Sequence, residues 1–114
     1  MQLNQYQNQL INIVQSANGH FLSAYQICNI LEKDYPQVWA SLVAEYPSTS
    51  GNPEMGKGAN KPYSPATYVA KALEHFRVNG QPIRKEYFSC ENVNFNGTDP
   101  GFTGNVVSIW AWRN

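Results

Sequence analysis

Leu3, Tyr6, Leu10, Ile13 and Val14 recur at the spacing of one helix face, which predicts an amphipathic helix over residues 3–16. Asn18-Gly19 ends it, with Gly19 placed for a left-handed cap. His20-Phe21-Leu22 is a short apolar link with the length of a minimal strand. Ser23 is a good N-cap for a second helix running to about Lys33, with Ile27, Ile30 and Leu31 inward and Tyr25 and Cys28 beside them. Pro36 suits the first turn of a third helix. Val38, Trp39, Leu42, Val43 and Tyr46 form its apolar stripe, with Trp39 as core anchor, and Pro47 stops it.

The periodicity then lapses. Residues 47–63 are rich in proline, glycine, asparagine and serine, and read as a flexible inserted loop. Ser64-Pro65 pairs an N-cap serine with a proline at the first helical position, so a fourth helix runs from there to about Arg77. Val69, Leu73 and Phe76 face the core, and Asn79-Gly80 and Pro82 end the helix. The period next changes to two. Residues 83–90 and 105–112 are rich in β-branched and aromatic residues and read as strands joined by a glycine-rich tip. In the second strand Val107, Ile109 and Ala111 share one face. Val106, Ser108, Trp110 and Trp112 share the other, and the tryptophans read as packing rather than a base-stacking platform.

The expected fold class is α+β, one domain over residues 1–114, with N-terminal helices followed by a C-terminal two-stranded β unit. Charged residues make up 14% of the chain and apolar ones 42%, which suits a folded domain rather than disorder. There is no apolar run long enough to span a membrane, and the N-terminus lacks the pattern of a secretory signal. A cytoplasmic protein is expected, with Cys28 and Cys90 as reduced thiols.

GNPEMGKG, residues 51–58, spells most of a phosphate-binding loop. Such a loop needs a strand before it, a helix after it and a hydroxyl following the lysine. Here a predicted helix precedes it, Gly58 replaces the hydroxyl and Ala59-Asn60-Lys61-Pro62 follows, so no nucleotide site is expected.

Formal net charge is zero, but its distribution is uneven. Lys57, Lys61, Lys71, Arg77, Arg84 and Lys85 against Glu74 give residues 57–85 a balance of +5. Residues 32–54 carry −3 and residues 86–113 carry −2. A local basic face can bind phosphate on a neutral protein.

The order helix, short strand, helix, helix, strand, turn, strand resembles the winged helix-turn-helix family. Residues 3–16 resemble its first helix, residues 20–33 its first strand and second helix, residues 64–76 its recognition helix, and residues 83–112 its two-stranded wing. The chain departs from that pattern in two ways. Residues 34–63, with an added helix, stand where the family has a short turn, and the wing tip carries Asn94, Asn96, Thr98 and Asp99 but no cation.

The resemblance implies a recognition helix that enters the major groove of double-stranded DNA. Its exposed candidates are Ser64, Thr67, Tyr68, Lys71, Glu74 and His75. Thr67 and Tyr68 would hydrogen-bond bases or phosphates, Lys71 a guanine or a phosphate, and His75 a phosphate, with Tyr68 equally suited to the core. Lys57 and Lys61 would follow the backbone from the loop, and Arg84, Lys85 and Arg113 lie on the wing strands. A homodimer fits sequence-specific binding.

No catalytic constellation stands out. His20 and His75 are the only histidines, and neither sits in a nucleophile or metal motif, so no enzyme, metal or cofactor is expected. A second expectation is a protein-interaction module on the same scaffold, such as a phage-encoded, anti-CRISPR-like inhibitor of a host defence complex. The neutral charge, the Gln- and Asn-rich first helix and the many aromatics support it.

Overall fold

The computed structural model describes residues 2–46, 65–89 and 106–113. The fold is α+β. Helices α1 (Gln7–Ser16), α2 (Ala24–Asp34), α3 (Pro36–Glu45) and α4 (Pro65–Val78) pack with strands β1 (Leu22–Ser23), β2 (Ile83–Ser89) and β3 (Val106–Trp112). Among the described residues the sheet has three strands rather than two. All neighbours are antiparallel and the order is β1-β3-β2. Leu22 pairs with Trp110 and Ser23 with Ile109, so the short link before α2 joins the sheet.

α1 begins later than its spacing predicts. Gln5 and Gln7 donate to the carbonyls of Gln2 and Asn4, which closes tight turns over residues 2–7. Tyr6 then precedes the helix with non-helical backbone (φ −116°) and no side-chain cap. Leu10, Ile13 and Val14 are its buried stripe. Asn18 and Gly19, at φ 54° and 86°, turn the chain out of it.

α2 starts at a full capping box. The Gln26 amide donates to Ser23 Oγ (3.1 Å), and the Ser23 amide donates to Gln26 Oε1 (2.8 Å). Ser23 is fully buried, so this exchange also satisfies polar atoms away from water. α3 follows directly, with Pro36 in its first turn, and buries Trp39 and Leu42.

α4 is the most buried helix, with Ala66, Tyr68, Val69, Ala72, Leu73 and Phe76 in the core. It ends in a Schellman motif. The Gln81 amide donates to the Phe76 carbonyl and the Gly80 amide to that of Arg77, with Gly80 at φ 101°. The chain then enters β2, which pairs with β3 from Ile83↔Trp112 to Ser89↔Val106. β3 is central and buries Val107, Trp110 and Ala111, whereas β2 buries Ile83 alone and is open beyond it. The regular register keeps Trp110 and Ala111 on opposite faces of β3, yet both are buried. A central strand covered from both sides hides neighbouring residues.

Candidate nucleic-acid interface

The outward stripe of α4 carries Thr67, Lys71, Glu74, His75 and Val78, spaced by three and four residues. Lys71 and Val78 are exposed, and Thr67, Glu74 and His75 are half-buried. β2 lies beside this stripe. Lys85 Nζ sits 3.4 Å from Glu74 Oε1, so the strand and the helix form one continuous surface.

Charge on this surface is organised around Glu74. Arg77 donates from Nε to Glu74 Oε1 at 3.0 Å and from Nη2 to Oε2 at 2.5 Å. These hydrogen bonds hold the Glu74 carboxyl below the usual carboxylate range, and Lys85 acts in the same direction. Lys85 also lies 5.3 Å from the centre of the Tyr87 ring, and Tyr87 is 70% exposed. Among the described residues, Lys71 takes part in no ion pair.

Tyr68 does not belong to this surface, which corrects its expected role as a base or phosphate contact. It is fully buried. Its ring stacks on Tyr46 (centroids 5.1 Å apart) and meets Tyr6 edge-on at 6.1 Å. Its hydroxyl donates to the Gln2 carbonyl at 2.8 Å. The polar tip of a tyrosine is satisfied inside by one backbone acceptor, so amphipathic character did not reveal its direction.

Arg84 also stands apart. It neighbours Lys85 along β2 and so points to the other sheet face, where its guanidinium lies 5.4 Å from the Phe21 ring centre. Of the sequence candidates, the structure thus brings together Thr67, Lys71, His75 and Lys85. Lys57, Lys61 and Ser64 lie outside the described residues. Arg77 counts in the basic stretch of residues 57–85 but not among the expected contact residues, and Tyr87 was missed. Arg77 follows Glu74 by three positions, a visible pairing signal, whereas Tyr87 is placed by strand pairing.

His75 borders a depression lined by Gln2, Leu3, Asn4 and Gln5. Asn79 Nδ2 donates to the His75 carbonyl at 2.7 Å and lies 3.3 Å from its ring Nδ1. Neutral amides surround this histidine, with no nucleophile or carboxylate among the lining residues. Among the described residues no three His, Cys, Asp or Glu side chains converge as metal ligands, and no helix is long and apolar enough to cross a membrane. No family model, curated protein or solved structure matches this chain.

Proposed function

We propose that this chain is a small winged-helix-type protein that binds double-stranded DNA and regulates transcription in a bacterium or mobile element. The observation that carries the reading is the joining of the α4 stripe to β2, with Lys71, Arg77 and Lys85 on the shared surface. The element order and the β1-β3-β2 sheet fit a recognition helix followed by a wing. Thr67 and Lys71 would face the groove, and Lys85 and His75 would meet phosphates.

The test is fluorescence anisotropy on a mixed-sequence duplex at roughly 50 and 200 mM salt. Binding should weaken steeply with salt and fall with Lys71→Ala but not with Lys33→Ala on α2. No binding at the lower salt rejects the DNA reading.

A specific observation supports a protein partner instead. Val78 and Tyr87 are 64% and 70% exposed, and Phe88 on the same strand is 41% exposed. Exposed aromatic and apolar groups anchor protein interfaces. Under that reading Tyr87→Ala abolishes partner capture while Lys71→Ala leaves it intact.

A further inference from the structure

Two cations from different elements converge on Glu74. Arg77 grips it with two nitrogens, and Lys85 reaches it across the helix–strand junction at 3.4 Å. Their approach is fixed from both sides, by the last turns of α4 and by the pairing of β2 with β3. Glu74 and Arg77 remain 36% and 39% exposed, so water reaches the contact and opening it costs little. Carboxylate and phosphate oxygens are interchangeable partners for a guanidinium fork. Tyr87 extends the cluster outward with an exposed ring beside Lys85.

We propose that Arg77 and Lys85, with Tyr87 at the rim, form a phosphate-binding site whose place is held by the Glu74 carboxylate until a phosphate arrives. Glu74 is then an internal competitor that lowers affinity for any phosphate ligand. The site deepens the DNA reading, and it rests on that reading only for the source of the phosphate, the duplex backbone rather than a free phosphate.

Glu74→Gln keeps the length and helix preference of the side chain while removing its charge, and far-UV circular dichroism checks that the fold is kept. Inorganic phosphate is titrated at constant ionic strength into the wild type and E74Q. The Arg77 Nε–Hε signal is followed by NMR. It should shift saturably in E74Q, at several-fold lower phosphate than in the wild type. An Arg77 signal that does not shift saturably in E74Q overturns the site, whatever DNA does.

The duplex measurement decides the source. If the backbone is the ligand, E74Q binds several-fold tighter, and its salt dependence steepens by about one to two units of log K against log salt, near 0.9 per added phosphate contact. If the Arg77 signal shifts but E74Q gains nothing on duplex, the site stands with a free phosphate as its ligand. Absence of duplex binding by both proteins at low salt then removes the DNA reading separately.

Discussion

Tyr46 and Tyr68 lie face to face, with ring centroids 5.1 Å apart and planes 23° apart. The pair joins the end of α3 to the first turns of α4. Through its hydroxyl Tyr68 also holds the Gln2 carbonyl, so one side chain ties three parts of the chain together.

Tyr68→Phe should therefore cost about 1 kcal/mol, the ordinary net value of a hydrogen bond. Tyr68→Ala should cost about 3–5 kcal/mol, as for other large aromatics removed from a core. Urea denaturation measures both. The Phe variant should bind any ligand of the α4–β2 surface as the wild type does, because the ring is not on that surface. A loss of binding without a loss of stability would contradict the buried role.

The capping box at Ser23 gives a second expectation. Ser23→Ala leaves the Gln26 amide without its acceptor at the start of α2 and should cost about 0.5–2 kcal/mol. Gln26→Ala removes the reciprocal half. Because the two halves share one motif, the double variant should cost less or more than the sum, which a double-mutant cycle in thermal denaturation reads directly.

Gly80 isolates a backbone effect. A Cβ added there would meet nothing within 4 Å, yet φ is 101°. Gly80→Ala should thus destabilise by about 1–2 kcal/mol through backbone strain alone. Gly80→Asn should cost less, since asparagine tolerates left-handed backbone better. Equal losses in the two variants would point to some other cause.

Alkaline pH should unfold the protein through its tyrosines. Burial, with Tyr46 and Tyr6 nearby, pushes the Tyr68 hydroxyl above the usual value of 10.0, and burial does the same for Tyr46. The folded state holds these protons more tightly than the unfolded chain does. Their stabilisation is intact below about pH 10 and declines above it as the unfolded chain ionises. Stability followed by circular dichroism should fall beyond that pH, with tyrosinate absorbance rising in step. The decline should be shallower in Tyr68→Phe.

Much of this arrangement is legible in the residue order. Helical spacing locates the four helices, Ser23 and Pro65 mark two starts, and Gly80 marks a stop, because each feature is local. The failures share a different origin. Residues 3–6 keep helical spacing, but the chain closes tight turns there instead. A minimal strand is legible near residues 20–22, but two residues carry no period that says β1 joins the sheet beside β3. Trp110 and Ala111 keep the expected opposite faces and are buried together because both faces of β3 are covered there, which the period of the strand does not encode. At the candidate site, Lys71 and His75 could be read from helix spacing. The meeting of Glu74 with Lys85 depends on how α4 and β2 are docked, and no local pattern encodes that.

The β1-β3-β2 order has a kinetic meaning. β1 and β2 are not paired with each other, so each depends on β3 for its pairing. Leu22 meets Trp110 across most of the chain, and loop closure must precede any gain from that contact. Helices built from local contacts can form early, while both halves of the sheet wait on one late arrival. The converse holds on opening: release of β3 would leave two unpaired strands at once, and amide protection in β1 and β2 would vanish as a single cooperative unit.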